Sequence, residues 1–339
     1  MFSSSKNLNK IKIFNYNVLT PNYCNSRKYP LNNQEHLDNH IRLINIKNLL
    51  LEQMKNESII CLQEVTRDWS GVFQLLCDNN DYHFIKSLYG YPKNGYMGIA
   101  IAYPKKYKLL DLSIKRISEF IEYEEKSKSI CKEITDFFKE FLVIKEPSVP
   151  IFEIAKNRFN TAIALKLQLR DNDDSRPFWI VNYHMPCVWR HPEVMILHIT
   201  YLKMFVKKVC ENNKYDCILA GDFNSQPDSL QYEILTNSSV VGLNNYFKDY
   251  PSNLQLPIID MKLESVYKIF NGKEPEATNY SYCDFNGPFK GTLDYIFVNN
   301  NIKVLKVDDI GFLDSFMPNK DNPSDHKPLY CELEIEDDL

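Results

Sequence analysis

Short apolar runs that close on a polar residue recur along this chain, alternating with stretches of helical period. The run IKIFNYNVL (11–19) is apolar at odd and even positions and too short for a helix, the pattern of a strand covered on both faces. SIICLQEV (58–65) and YMGIAIAY (96–103) follow the same pattern. Between the first two, residues 38–56 carry apolar side chains at helical spacing, with Ile41, Ile44, Leu51 and Met54 among them. TAIALKLQL (161–169) alternates, with Ile163, Leu165, Leu167 and Leu169 on one face. The turn sequence DNDDSRP joins it to its hairpin partner FWIVNYH (178–184). The clearest helix is 193–212, where Val194, Leu197, Tyr201 and Phe205 form one stripe. The strand CILAGDF (217–223), a short helix near 229–236, and the strands TLDYIFV (292–298) and LYCELEI (329–335) complete the set.

Strands and helices mixed along the whole length, without an internal repeat, predict a layered α/β fold. It forms a single domain over residues 11–336 behind a flexible N-terminus, 1–10. One stretch differs. Residues 115–146 are rich in Glu and Lys around Phe120, Ile121, Phe137, Phe138 and Phe141. They predict a charged helical insertion packed on the main body, a solvated helix pair rather than a lid.

Composition narrows the class without choosing a function. Of 339 residues, 44% are hydrophobic, 13% aromatic and 25% charged, which excludes a disordered chain. The net charge of -4 lacks the basic footprint of most nucleic-acid binders, although a nuclease that gathers carboxylates around a metal can also be acidic. Nine cysteines, an odd number with no CxxC pair, indicate neither a disulfide framework nor a zinc site. Cys61, Cys217 and Cys331 sit in apolar runs, where cysteine behaves as a small hydrophobe, so a reducing, cytoplasmic location is expected. No stretch approaches the roughly 18 apolar residues of a membrane span, and MFSSSKNLNK has no apolar core of a signal peptide.

The chemistry gathers at strand ends. Asn17 closes the first run, Glu64 the second, His184 the hairpin strand, and Asp222 and Asn224 the run CILAGDFN. Asp294 opens the strand DYIFV, and Asp325 and His326 precede the last strand. A single carboxylate in such a place is ordinarily a cap or turn residue. All of them converge only if the strand ends meet at one rim, as layered α/β folds arrange. The resulting mixture of carboxylates, carboxamides and two histidines suits Mg²⁺ or Mn²⁺ rather than zinc. Histidines beside such a cation can donate to phosphate oxygens as negative charge builds.

The segments YNVL, LQEV, NYHM, GDFNSQPDS, LDYIF and PSDH resemble, in order and approximate spacing, the endonuclease/exonuclease/phosphatase superfamily. YNVLTPNY, LESVYKIFNGKEPEATNYS and FKGTLDYIF are most similar to the carbon-catabolite-repressor type of poly(A) deadenylase, with its relatives nocturnin, angel and the 2′-5′ phosphodiesterase. The resemblance runs from about Lys12 to Ile335. It implies a four-layered α/β sandwich, two packed mixed β-sheets flanked by helices. It further implies an Mg²⁺- or Mn²⁺-dependent phosphodiesterase that attacks RNA at a single-stranded 3′ end and releases 5′-nucleotides.

Carried onto this sequence, the resemblance makes Glu64 the principal metal ligand, helped by Asn17 and Asp325. Asp222 positions the attacking water and Asn224 orients it. His184 and His326 stabilise developing charge, with Asp294 fixing the His326 ring. For substrate contacts it implies Phe289, as a base-stacking ring on a turn at the rim, and the pair Asn157 and Arg158 opening the strand at 161–169. Trp189, Arg190 and His191 are equally consistent with a surface turn, and His36, His40, His83 and His198 are expected to be structural. Two departures bear on substrate choice: no leucine-rich repeats precede the catalytic segments, and MPCVWRHP after His184 differs in length from the deadenylase pattern. A 2′-5′ oligoadenylate phosphodiesterase, a DNA-repair endonuclease, an inositol-phosphate phosphatase and a catalytically dead RNA-binding module remain alternatives.

Overall fold

The computed structural model describes residues 9–121, 151–238, 256–257, 259–283, 287–299 and 302–335. Two six-stranded mixed sheets pack face to face. The first runs β13 (Ile302–Val307), β14 (Leu329–Ile335), β1 (Asn9–Asn17), β2 (Ile59–Val65), β4 (Gly98–Pro104), β3 (Tyr82–Leu88). The second runs β5 (Tyr107–Arg116), β6 (Thr161–Leu169), β7 (Phe178–His184), β8 (Asp216–Asp222), β12 (Asp294–Val298), β9 (Glu264–Ser265). A separate hairpin pairs β10 (Asn279–Cys283) with β11 (Gly287–Gly291). This is the expected four-layered α/β sandwich in one domain.

Strand parity assigns the layers. Ile11, Ile13, Ile59, Cys61, Ile163, Leu165, Ile180, Ile218, Ala220 and Ile296 share one buried cluster between the sheets. Residues of opposite parity, such as Phe14, Ile60 and Leu62, face outward under α1 (Asn39–Lys55) and α2 (Arg67–Asp78). On the other side Trp179, Val181, Leu219 and Phe297 pack under α3 (Ile151–Lys156), α4 (Pro192–Val209) and α5 (Leu230–Thr236). A sixth short helix, α6 (Val266–Asn271), buries Val266 and Tyr267 against the intersheet core. The helices start where capping side chains meet their first free N–H groups: Asp38 accepts from His40 and Ile41, Thr66 from Trp69 and Ser229 from Tyr232.

The elements expected from sequence recur with small shifts of end, and four differences have physical causes. The buried face of α1 is Arg42, Ile46, Leu50 and Met54, whereas Ile41 and Ile44 are exposed. Arg42 can occupy that face because four acceptors satisfy it: the carbonyls of Val18, Leu19 and Pro323 and Asn39 Oδ1, at 2.6–2.7 Å. Helix α4 is buried almost all round from Val194 to Lys203, because α3 and α5 cover what a single stripe would leave open. Of the expected insertion, Lys115 and Arg116 finish β5 and residues 117–120 form a 3-10 turn that buries Ile117. Residues 122–146, with Phe137, Phe138 and Phe141, lie outside the described residues. Finally GPFKG, expected as a turn, is strand β11, because each of its residues from Gly287 to Gly291 finds a partner in β10.

Cys61, Cys217 and Cys331 are buried and unpaired. Among the described residues no helix is long and apolar enough to cross a membrane.

Candidate active site

The parity that builds the intersheet core also builds the site. Continuing the inward-facing positions toward one end of the sandwich leads from Ile13 to Asn15 and Asn17, from Cys61 to Gln63, from Ile180 to Asn182 and His184, and from Ala220 to Asp222. Asp294 enters the same level from β12 ahead of Ile296. His184, Asp222 and Asp294 are direct register partners across β7, β8 and β12, so three adjacent strands present them side by side.

Behind this row the two sheets are stitched together by amides. Gln63 Nε2 donates to Asn15 Oδ1 and Asn182 Oδ1, both at 2.8 Å, Asn182 Nδ2 donates to the carbonyls of Leu62 and Ala100, and Asn15 Nδ2 donates to Gly221 O. All three residues are fully buried. Sequence reasoning passed over them and over Tyr89, Asn160, Ser324 and Arg42. For Asn15 and Asn182 a signal existed: each is a carboxamide two positions before a candidate site residue, at the same parity.

Glu64 is an exception to the parity rule. Simple alternation would turn it outward with Leu62. A register shift between Gln63 and Val65, with Glu64 at φ 60°, forms a bulge that swings its carboxylate to the rim. Its Oε2 accepts from Thr20 N at 2.8 Å and its Oε1 from Asn17 Nδ2 at 3.3 Å. The same Asn17 Nδ2 donates to Asp222 Oδ2 at 2.8 Å, while Leu19 N donates to Asn17 Oδ1. The backbone donor fixes the amide orientation, so Asn17, expected as a metal ligand, presents its nitrogen to both carboxylates.

Two imidazoles converge on Asp222. His184 Nε2 lies 3.6 Å and His326 Nε2 3.7 Å from Asp222 Oδ2. On the far side of its ring, His326 Nδ1 meets Asp294 Oδ2 at 2.7 Å, and Thr278 Oγ1 donates to that oxygen at 2.6 Å. Burial disfavours charge on His326, but Asp294, Asp222 and Asp325 outweigh it and raise the pKa well above the ordinary histidine value. Behind the His184 ring Asn160 Nδ2 donates to His184 O and to the Tyr89 hydroxyl, and that hydroxyl lies 3.2 Å from His184 Nδ1, so the ring is held with Nε2 toward Asp222.

The other candidates are distributed as follows. Asn224 holds φ 48°, its N–H caps Asp222 Oδ1 at 2.9 Å and its Nδ2 donates to Met185 O. Asp325 Oδ2 accepts from Tyr29, and its Oδ1 lies 3.9 Å from His326 Nε2. Ser324 pins this loop to the end of β1 by donating to Asn17 O at 2.7 Å, and Arg42 ties the same two segments from behind. Phe289 is half-buried on β11. A methyl group added at Gly291 would come within 2.9 Å of its Cζ and 3.1 Å of Gln226 Oε1, so the ring lies over the loop that follows Asn224. Asn157 and Arg158 lie just past the end of α3 rather than opening β6. Asn157 is exposed, Arg158 is half-buried with its Nε unpartnered, and Asn160 is the asparagine of this segment that reaches His184. Trp189 is exposed under Arg190. His198 is fully buried between Tyr183 and Ala155, as a structural histidine should be.

A divalent cation fits this donor set. Asp222, Asp294 and His326 bring side-chain atoms within 4.8 Å of one another, and with His326 protonated the oxygens open to a cation are those of the carboxylates, Glu64 and Asp325 alongside Asp222. Asp294 Oδ1 is buried without a hydrogen-bond partner among the described residues, an unmet acceptor of the kind a cation or water satisfies.

From residue 14 to residue 326 the sequence matches the Endonuclease/Exonuclease/phosphatase family. The chain belongs to that family. Among curated members, 2′,5′-phosphodiesterase 12 of Rattus norvegicus is 26% identical over 95% of this chain and 51% of its own length. The CCR4-Not complex 3′-5′-exoribonuclease subunit Ccr4 of Schizosaccharomyces pombe is 24% identical over 98% of this chain and 50% of its own length. The chain thus spans about half the length of these family members. Among solved structures of this fold, ANGEL2, a 2′,3′-cyclic phosphatase crystallised with adenosine-2′,3′-vanadate, superposes with a TM-score of 0.70 at 20% identity, over 97% of both chains. The human nocturnin catalytic domain superposes with a TM-score of 0.58 at 20% identity, over 96% of this chain and 94% of its own. Members of this family are phosphoesterases and nucleases of a class that generally uses a divalent metal.

Proposed function

We propose that this protein is an Mg²⁺- or Mn²⁺-dependent phosphodiesterase that hydrolyses RNA from a single-stranded 3′ end, with a preference for adenosine, and releases 5′-nucleotides. The observation that carries it is the convergence of two imidazole Nε2 atoms on one carboxylate oxygen, Asp222 Oδ2, beside further carboxylates at the rim. That arrangement offers N–H donors to a phosphate and a carboxylate to the water that attacks it.

In this proposal Asp222, held by Asn17 and by the Asn224 N–H, orients the water and draws on its proton. His184, its ring held at Nδ1 by Tyr89, donates from Nε2 to a non-bridging oxygen. His326, charged in the company of Asp294 and Asp222, donates to another. Glu64 and Asp325 are the carboxylates that would hold a cation, with Asn17 aligning Glu64 against Asp222. When bound, the cation supplies Lewis-acid polarisation of the phosphate. Phe289 stacks on a base of the substrate, and Asn157 and Arg158 stand as further substrate contacts. A cytoplasmic location, expected from cysteines buried without disulfide partners, belongs to the same proposal.

A second reading has a specific basis: relatives named 2′,5′-phosphodiesterase 12 align over 95% of the chain. A 2′-5′ linkage would need the same phosphate chemistry with a different seat for the ribose.

The test is hydrolysis of an adenosine-ended RNA, 2′-5′ oligoadenylate, abasic duplex DNA and an inositol polyphosphate, with Mg²⁺ and Mn²⁺ titrated and EDTA as control. Stepwise release of 5′-AMP from the RNA, abolished by EDTA, is expected. Faster cleavage of the 2′-5′ substrate selects the second reading. Full activity in EDTA, or activity confined to the last two substrates, overturns both.

A further inference from the structure

On the Glu64 side of the cleft three loops meet: residues 18–28 after β1, the turn from Glu64 to Arg67, and residues 89–97 between β3 and β4. They are knitted together at Asn94, which is buried at 3% exposure. Its Oδ1 accepts from Tyr91 N at 2.8 Å and its carbonyl accepts from Thr20 Oγ1. Thr20 N in turn holds Glu64, and Arg67 N donates to Gly95 O. The loops touch closely enough that a methyl group at Gly95 would lie 2.5 Å from Asn22 Oδ1.

This wall carries four cations and, besides Tyr89 at the catalytic cluster, three tyrosines. Lys28 Nζ stands 3.7 Å over the Tyr23 ring, and Arg67 lies 4.9 Å over the Tyr96 ring. Arg27 and Lys93 are exposed on the same loops. The acids here are Glu64, which belongs to the catalytic cluster, and Asp68 beside Arg67. A local excess of positive charge on a chain of net charge -4 needs a cause. Tyr91 is the open member of the set. Its side chain is 53% exposed, and among the described residues no other ring or cation packs on its face. An ordinary surface tyrosine would be loosely held. Tyr91 stands on a fixed backbone, its N–H donating to Asn94 Oδ1 and its carbonyl accepting from the N–H groups of Asn94 and Tyr96. An open ring on a fixed backbone, flanked by cations, is what stacking a base between two phosphates requires.

We propose that this wall binds single-stranded RNA, a base stacking on Tyr91 while Lys28, Lys93 and Arg67 meet the neighbouring phosphates. The inference rests on the phosphodiesterase reading above and adds a second base platform. Phe289 lies beside Gln226, in the loop that follows β8 of the second sheet, and Tyr91 lies on loops of the first sheet. A strand threaded past Asp222 therefore has an aromatic platform on either side of the cut.

The experiment is fluorescence anisotropy of the full chain with a 5′-fluorescein-labelled decaadenylate RNA, in EDTA so that binding is read apart from hydrolysis. Tyr91→Ala should raise Kd by about tenfold, the lower end of what stacking one base contributes, whereas Tyr91→Phe should bind as the wild type does. Substituting Lys28→Ala together with Lys93→Ala should flatten the slope of log Kd against log salt by about 1.4, roughly 0.7 for each lost phosphate contact on a single strand. Unfolding curves for each variant guard against a collapsed loop. Equal Kd for Tyr91→Ala and the wild type, a loss shared by Tyr91→Phe, or an unchanged salt slope would overturn the wall as a binding track. The phosphodiesterase reading would stand in each of those cases, since it is decided by the separate hydrolysis panel.

Discussion

Asn17 Nδ2 donates to Asp222 Oδ2 over 2.8 Å, joining the end of β1 to the end of β8 across the gap between the two sheets. The same nitrogen reaches Glu64 Oε1 at 3.3 Å, so one amide on β1 holds carboxylates from β2 and β8 within reach of one another. Two carboxylates facing each other repel unless a donor or a cation stands between them.

Replacing that donor by a third carboxylate therefore makes a sharp test. Asn17→Asp should lower the stability of the metal-free protein by roughly 1–3 kcal/mol, the range for losing a buried hydrogen-bonding partner. Added Mg²⁺ should raise the melting temperature of the variant by more than that of the wild type, because binding to the folded state alone stabilises it. A variant that melts like the wild type and ignores Mg²⁺ would show that the cation lies away from Asn17.

Asp294 lies 2.7 Å from His326 Nδ1, and in the proposed reaction it acts through that ring. Asp294→Asn should lower kcat with little change in KM, and His326→Ala should do so more strongly, because both effects are confined to the transition state. The double variant should be no worse than His326→Ala alone. Losses that simply multiply would mean that the two residues work independently.

The half-buried ring of Phe289, lying against Gly291, is the base platform of the proposed reaction. Phe289→Ala should reduce cleavage of adenosine-ended RNA by about ten- to a hundredfold, in line with the worth of one stacked base. Hydrolysis of bis(p-nitrophenyl) phosphate should fall much less. Gly291→Ala, which would collide with the ring, should act in the same direction. Equal losses on both substrates together with a large drop in melting temperature would return Phe289 to the core.

Acid sensitivity has a definite source in His198. Burial, opposed by the bond to Ala155 O, lowers its pKa to about 4. The unfolded chain, with a histidine pKa of about 6.5, binds a proton first as pH falls. The contribution of a neutral His198 is therefore complete above about pH 6.5 and is lost as pH falls to about 4, a change of about 3 kcal/mol. Denaturant unfolding across this range should show a flatter stability profile for His198→Gln than for the wild type. Parallel profiles would assign the acid sensitivity to other groups.

How far the sequence could be followed is clearest at particular positions. Asp222 and Asp294 were legible as strand-end carboxylates because an apolar run that stops at a charge marks a rim. That they are register neighbours of each other and of His184 was not, since strand order depends on pairings between segments far apart in sequence. The strands of GPFKG and of 82–88 were missed because their neighbours, not their own periodicity, make them strands. Arg42 was invisible for a related reason: an arginine on the buried face of a helix is tolerable only when distant carbonyls arrive to meet it.

By itself the sequence determined the α/β class, most of the strands and helices, and the roster of carboxylates, amides and histidines at strand ends. It did so because hydrophobic period and the polarity of a run's last residue are local properties. Only the tertiary structure decided which parity faces the other sheet, and with it that Asn15, Gln63 and Asn182 bridge the sheets beneath the site. A strand apolar on both faces carries no sign of which side is inside. Only the fold, too, turned Glu64 into the cleft through a bulge at φ 60°, held the His184 ring through Tyr89 and Asn160, and set Tyr91 on the wall beside them. Each of these depends on atoms brought together from loops that the chain visits many residues apart, where a pattern along the sequence has no reach.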